Sequence, residues 1–386
     1  MTTQFNIPST IITGAAASSE LTPQLKRRGI TRVLLVTDAF MVSSGLVPRV
    51  VADLMAAEIN VEVFAEVQPD PSEENVLAGF ARLQACAAQA VVAIGGGSPM
   101  DCAKVIAVLP NNPPPIARFM GRHNVPHAGL PLFAIPTTAG TGSEVTKVAV
   151  ITDKKRDVKM MMLDQHLMPT VALVDFELSL SMPPELTAAV GVDTLTHAME
   201  AYVSSMASAL TDPLALSCIK LCGEHLETAW NEPDNHVARE GMMLAATQGG
   251  MAFANSSVAL VHGMSRPIGA LFHVPHGISN AMILPTVTRF SVGGAVARYA
   301  TIARTLGWVG GEESDESAAE RLVVGLEELN RRLKIPALRD YPKMEEERFH
   351  SSLEKMAADA LASGSPQNNP VVPTLEQTVE LYRQAW

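Results

Sequence analysis

Cysteine is scarce in this chain: four residues in 386, at Cys86, Cys102, Cys218 and Cys222. They are too few and too badly spaced for a disulfide framework or a zinc ribbon, and Cys218 with Cys222, four apart, reads as one face of a helix. Clustered basic residues are missing as well. With 29 Lys and Arg against 40 Asp and Glu the formal net charge is −11, which argues against a nucleic-acid partner, because phosphate binding needs grouped Lys and Arg. No apolar run approaches the roughly 18 uninterrupted residues of a membrane span. The opening "MTTQFNIPST" lacks a basic stretch followed by an apolar one, so the expected compartment is a reducing cytoplasm. Internal repeats and low-complexity segments are absent too, and "SGSPQNNPVVPT" (363–374) reads as a loop before a last helix.

What remains is the composition of a globular protein, 47% hydrophobic and 18% charged, in a chain long enough for two domains. Residues 1–182 alternate short β-branched runs with helical stretches: "TRVLLVTDAF", "LVPRVVADLMAAE", "INVEVFAEV", then "PSEENVLAGFARLQACAAQ", capped by Ser72, and "AVVAIGGGSPMDCAKVIAVL". Continuous apolar runs such as Val91–Ile94 suit strands buried on both faces, and their alternation with helices predicts a parallel sheet. From Pro183 onward the pattern changes and the spacing is helical in "MPPELTAAVGVDTLTHAMEAYVSSM" (182–206) and at 211–229, 238–254, 294–306, 316–333 and 374–386, so the second part, 183–386, reads as helical. The expected architecture is an α/β domain followed by an all-α domain.

Histidine is unevenly spread. "VHGMSRPIGALFHVPHG" (261–277) carries three of the ten, His262, His273 and His276, together with Arg266. A lone histidine on an apolar face is usually a satisfied core residue. In "GVDTLTHAME", however, Asp193 and His197 are four apart, so on a helix both project from one face and offer two metal ligands from a single turn. His262 and His276 can complete a set of four, suited to Fe(II), Zn(II), Mn(II) or Co(II) with a position left open for a substrate oxygen. An exposed i, i+4 pair reads the same way by spacing alone. Pro267 is expected to bend or end any helix there, letting the chain loop through Gly269 and Pro275 and bring His276 back beside His262. His273 is left without a role.

Two further stretches suggest a nucleotide. In "AVVAIGGGSPMD" an apolar strand runs into Gly95, Gly96, Gly97 and Ser98 before a helical stretch with Asp101 and Lys104, a turn that lets backbone N–H groups approach a phosphate. It is neither the G-x-G-x-x-G fingerprint nor a Walker A loop, and a plain structural turn reads equally. "PTTAGTGSEVT" (136–146) is a second such loop after an apolar strand, and two loops can grip one pyrophosphate. Asp38, ending "VLLVTD", is placed either for a ribose diol or as a helix cap.

In this order, "LLVTDAF", "PDPSEENV", "AIGGGSPMDCAK", "IPTTAGTGSEVT", "LSMPPELTAAVGVDTLTHAMEAYVS", "LVHGMSRPIGALFHVPHG" and "LYRQAW" resemble the iron-containing (group III) alcohol dehydrogenases of the dehydroquinate-synthase-like superfamily. The resemblance spans nearly the whole chain. It implies a Rossmann-like nucleotide-binding domain (1–182), an all-helical metal-binding domain (183–386), and a site in the cleft between them. It places the metal ligands on Asp193, His197, His262 and His276, and the pyrophosphate loops on Gly95–Ser98, with Asp101 following, and on Thr137, Thr138 and Thr141. It sets Asp38 at the adenosine ribose of NAD, Lys159 near the nicotinamide ribose, and Phe253 in the substrate cleft. Asp70, in "QPDP", replaces an asparagine of the family pattern. Arg266 replaces a second, non-ligating histidine, since the family reads H-x-M-x-H-P where this chain has "HGMSRP".

The chemistry implied is reversible hydride transfer between a primary alcohol and NAD, aided by Fe(II) or Zn(II), in a homodimer or larger assembly acting on a small alcohol or aldehyde. Arg266 cannot serve as a base, which leaves the ribose hydroxyls, water or His273 for the alcohol proton. It points either to a structural carboxylate or to an anionic arm of the substrate. A zinc-type polyol dehydrogenase, a lyase of the same superfamily and a non-catalytic nucleotide-binding module are the alternatives.

Overall fold

The computed structural model describes residues 3–156 and 158–386. The chain divides into two compact units, Asn6–Ser179 and Leu180–Trp386, with Thr3–Phe5 grouped with the second. The division falls just ahead of Pro183, where the sequence pattern changes.

The first unit holds strands β1 Thr10–Thr13, β2 Arg32–Val36, β3 Asn60–Phe64, β4 Ala90–Gly95, β5 Gly121–Arg122, β6 Leu132–Pro136, β7 Val148–Asp153, β8 Val158–Leu163 and β9 Val171–Val174. Its helices are α1 Leu21–Arg27, α2 Ala39–Ser43, α3 Leu46–Ala56, α4 Glu73–Ala85 and α5 Gly97–Val108. Six strands form a parallel sheet in the order β1-β9-β6-β4-β2-β3. A smaller sheet, β5-β8-β7, contains the antiparallel pair β7–β8, which the alternating reading did not anticipate. Successive strand residues bury into opposite layers. Val91 and Ala93 join Val105 and Ile106 of α5, whereas Val92 and Ile94 join Leu25, Val47 and Leu54 of α1 and α3. Both sheet faces are thus covered, as continuous apolar strands require. Ser72 caps α4 in a reciprocal box with Asn75.

From β2 the chain goes first to β3 on one side and then to β4 on the other. That reversal opens a crevice between the C-terminal ends of β2 and β4, the place where open α/β sheets bind ligands. Asp38 follows β2, and the three glycines end β4 and open α5.

In the second unit the described residues form helices and no strands: α6 Pro184–Val203, α7 Asp212–Asn231, α8 His236–Ser256, α9 Leu260–Phe272, α10 His276–Ser291, α11 Val296–Thr305, α12 Asp315–Arg332, α13 Glu346–Ser351, α14 Leu353–Ala362 and α15 Leu375–Ala385. Pro184 starts α6, which is buried along nearly its whole length. Cys218 and Cys222 are both buried on α7. Among the described residues no helix is long and apolar enough to cross a membrane.

Pro267 does not end its helix. α9 runs through it to Phe272, so Gly269 is helical and only residues 273–275 link α9 to α10. A proline removes one N–H and crowds the preceding turn. Here the Tyr382 hydroxyl donates to Met264 O (2.6 Å), Ser279 Oγ donates to Ser265 O (3.0 Å), and Met264 and Ile268 are fully buried. Packing outweighs local propensity. The helix stops at His273, exposed and left-handed at φ 54°.

Candidate metal centre and nucleotide loops

Helix α6 presents Asp193 and His197 four residues apart, α9 contributes His262, and His276 is the first residue of α10. One ligand atom from each lies within 4.8 Å of all the others. Asp193 Oδ1 sits 4.0 Å from His197 Nε2, 3.6 Å from His262 Nε2 and 3.9 Å from His276 Nε2. Three of the four side chains are nearly inaccessible, whereas that of His276 is 48% exposed and marks the open side. Phe253 stacks on His197 at 4.3 Å, and His197 on His262 at 4.6 Å.

Two residues outside the four organise them. Glu200, seven after Asp193 on the same helix face, accepts from His262 Nδ1 at 2.6 Å and from the backbone N–H groups of Ala259 (2.9 Å) and Val261 (2.6 Å). A proton held on Nδ1 leaves the Nε2 lone pair directed at the cluster. Burial pushes Glu200 up to about 7, against the pull of those hydrogen bonds. Burial, followed by the two neighbouring imidazoles, holds His262 well below the usual histidine range, so it is neutral. Burial alone would raise Asp193, but His197, His276, His262 and Asn280 together leave it lower than an ordinary aspartate.

Asn280 Nδ2 donates to Asp193 Oδ1 (2.6 Å) and lies 3.2 Å from both His262 Nε2 and His276 Nε2, while its Oδ1 is buried with no hydrogen-bond partner. The electropositive end of an amide therefore occupies the spot where three donor atoms converge. A neutral imidazole with its tautomer set, two more imidazoles and an ionised carboxylate around such a spot fit a divalent cation of the Fe(II) or Zn(II) kind. Glu200 and Asn280 were not singled out from the sequence. The signal for the first was its heptad distance from Asp193, and for the second its place four residues after His276.

In the first unit Gly95 has φ 142°, a region that suits glycine, and a Cβ there would come 2.7 Å from Pro99 Cγ. A Cβ on Gly97 would press on Thr141 (3.2 Å), whereas one on Gly96 would only touch Thr138 (3.4 Å). The absent side chains thus let the two loops pack together, and Thr137 N donates to Gly95 O at 3.1 Å. Ser98 lies in the first turn of α5, whose N-terminus has no side-chain cap. Asp38 Oδ1 accepts from Met41 N (3.0 Å) and caps α2, while its Oδ2 lies 3.5 Å from where a Gly95 Cβ would stand.

Asp101 is engaged within the protein: Oδ1 accepts from Ser143 Oγ and Oδ2 from Val150 N, both at 3.0 Å. Lys104, fully buried, donates to Ser143 Oγ (2.7 Å), Thr146 Oγ1 (2.9 Å) and Val148 O (2.7 Å), and burial brings it down to about 8. Together they tie the end of the second loop to the helix that follows the first. Asp70 stands at φ 54°, which Asn and Asp tolerate, and receives an ion pair from Lys159 Nζ at 2.7 Å. Arg266 is partly buried and donates from Nη1 to Ser365 Oγ at 2.9 Å.

Comparison with known proteins identifies the family. The iron-containing alcohol dehydrogenase family profile matches residues 8–176, and the profile of the C-terminal part of the Fe-containing alcohol dehydrogenase family matches residues 187–386. The chain is 38% identical to the NAD-dependent methanol dehydrogenase of Bacillus methanolicus over 383 residues, covering 99% of this chain and 100% of that protein. It is 38% identical to the lactaldehyde reductase of Escherichia coli strain K12 over 377 residues, 97% of each. The crystal structure of a 1,3-propanediol oxidoreductase superposes with a TM-score of 0.97 at 32% identity, covering 100% of both chains. The chain belongs to the iron-containing alcohol dehydrogenase family.

Proposed function

We propose that this protein catalyses reversible hydride transfer between a primary alcohol and NAD, with iron held by Asp193, His197, His262 and His276. The observation that carries the reading is the convergence of one carboxylate oxygen and three imidazole nitrogens within 4.8 Å. A divalent ion bound there supplies Lewis acidity toward an alcohol or carbonyl oxygen. The chain's own residues set the rest. Glu200 keeps the His262 lone pair directed inward, Asn280 holds Asp193, and Phe253 shields the His197 side with an apolar ring. The exposed flank of His276 is the side from which a small alcohol enters.

For NAD, the backbone at Gly95–Ser98 and at Thr137, Thr138 and Thr141 suits the pyrophosphate, because the glycines let both loops lie together at the open start of α5. Asp38 is the acceptor proposed for the adenosine ribose diol, and Lys159, with Asp70 beside it, the donor proposed for the nicotinamide ribose. Asp101 serves this site by holding the second loop in place. The resemblance also supports a homodimer or larger assembly in the cytoplasm, which sedimentation velocity and cell fractionation test.

Protein stripped by chelator and reloaded anaerobically with Fe(II) or Zn(II) is assayed with primary alcohols and NAD, and with aldehydes and NADH, by NADH absorbance. Turnover that appears only on reloading is the expected result. Full turnover by metal-free protein would overturn the assignment.

A further inference from the structure

Arg266 follows His262 by four residues on α9, so the two side chains share a flank of the helix, with Cβ atoms about 6 Å apart. Helical side chains lean toward the N-terminus, which carries the Arg266 stem back over the turn that bears His262. Glu200, the buried carboxylate beside His262, has both oxygens engaged by Ala259, Val261 and His262.

Among the described residues, the other arginines that are partly or fully buried end on acceptors that match them. Arg298 meets Asp212 at 2.6 Å and Arg304 meets Asp315 at 2.8 Å. Arg239, fully buried, donates to Pro233 O, Thr187 Oγ1 and Met182 O. Arg266 differs. Among the described residues its guanidinium makes one hydrogen bond, to the neutral Ser365 hydroxyl, and no carboxylate is within ion-pair reach. A five-donor cation, partly buried next to a cluster built for another cation, is under-satisfied by one hydroxyl.

We propose that Arg266, with Ser365 beside it, receives an oxyanion at the far end of the substrate, so that the preferred aldehydes carry a carboxylate or sulfonate about two to four carbons from the carbonyl. The proposal rests on the alcohol dehydrogenase reading and names its substrate class. The reaction itself is unchanged: aldehyde, NADH and a proton give alcohol and NAD. A planar guanidinium offers two parallel N–H groups to such an anion, and the anion neutralises the charge that the protein leaves uncompensated. Substrate orientation follows, because one end is fixed at Arg266 and the carbonyl end reaches the four-ligand cluster.

The test compares kcat/KM of the metal-loaded enzyme for succinic semialdehyde and 3-oxopropanesulfonate against butanal and propanal, in wild type, Arg266→Gln and Arg266→Lys. The expected anion-to-neutral ratio is roughly 10 to 100 in wild type, near one in Arg266→Gln and intermediate in Arg266→Lys. The carboxylate and sulfonate arms show which anion the site prefers. Butyrate and propane-1-sulfonate, which do not react, are titrated calorimetrically into the same proteins with NAD present, and the Gln variant is expected to bind them at least tenfold more weakly. A wild-type ratio of one, or probe binding indifferent to Arg266, overturns the proposal while leaving the alcohol dehydrogenase reading intact. If no aldehyde is reduced by protein that holds metal and NADH, that reading fails, and the probe titrations still decide Arg266.

Discussion

His262 Nδ1 lies 2.6 Å from Glu200 Oε2, and both side chains are almost wholly buried. The carboxylate is fixed in turn by two backbone N–H groups at the start of α9, so the ligand's tautomer is set by the same contact that anchors its helix. Partners of this kind typically contribute 10- to 100-fold to metal affinity. Glu200→Gln places an amide against backbone donors that need an acceptor, and is expected to weaken metal binding by about that factor. Chelator competition monitored by metal analysis checks it, alongside the thermal midpoint. Unchanged affinity would reduce Glu200 to a helix anchor.

The four ligands differ in what their loss does to the fold. His276 is half exposed, so His276→Ala is expected to abolish metal retention and turnover with stability little changed. His262 is 4% exposed and bonded to Glu200, so His262→Ala removes the metal and also takes one of three hydrogen bonds from a buried carboxylate. That second loss is expected to cost roughly 1–3 kcal/mol. Metal content and urea unfolding of both variants measure the contrast. An His276→Ala protein with a full metal complement would remove that residue from the ligand set.

Much of this site could be read in the chain because its residues are chemically rare. Ten histidines in 386 residues make a group of three conspicuous, and an aspartate four residues from a fourth histidine restricts the geometry. Glu200 has no such rarity among 40 acidic residues, and its role depends on where α9 begins, which no local pattern states. Pro267 was misleading for the opposite reason. Its local preference is strong, but Tyr382 and Ser279, remote in sequence, pin the turn before it through the Met264 and Ser265 carbonyls. The β7–β8 pair was invisible to a reading built on strands alternating with helices.

Asp38 carries two readings that a single substitution can separate. It caps α2 through Oδ1, and its other oxygen lies beside Gly95 at the crevice where a ribose is proposed. Asparagine caps a helix about as well as aspartate but has no charge to repel a 2′-phosphate. Asp38→Asn is therefore expected to keep its thermal midpoint while the NADP-to-NAD ratio of kcat/KM rises about tenfold. Asp38→Ala is expected to shift the ratio similarly and also to lose about 1 kcal/mol of stability. If wild type already prefers NADP, the capping contact is the whole of the residue's role.

Lys104 supplies the last prediction, in which stability and cofactor binding are joined. Its ammonium is fully buried and holds Ser143, Thr146 and the Val148 carbonyl, with Asp101 3.8 Å away, so it closes the stretch that follows the Thr137–Thr141 loop. Lys104→Met removes the three hydrogen bonds to this stretch and the counter-charge of the partly buried Asp101, a loss of roughly 1–3 kcal/mol. Freed of this tie, the loop is expected to weaken NADH binding as well, which fluorescence titration measures. The pH dependence has a definite sign. Burial puts Lys104 at about 8 in the folded protein, below the unfolded lysine value near 10.4. Between those values the unfolded chain binds the extra proton, so the folded state gains as pH rises. Wild type is accordingly expected to gain stability relative to Lys104→Met between pH 8 and 10, with no such gain between pH 6 and 7. Urea midpoints of both proteins across that range decide it. A wild-type advantage that shrinks above pH 8 would mean that the fold favours the charged ammonium, and that its hydrogen bonds to the loop outweigh the cost of burying it.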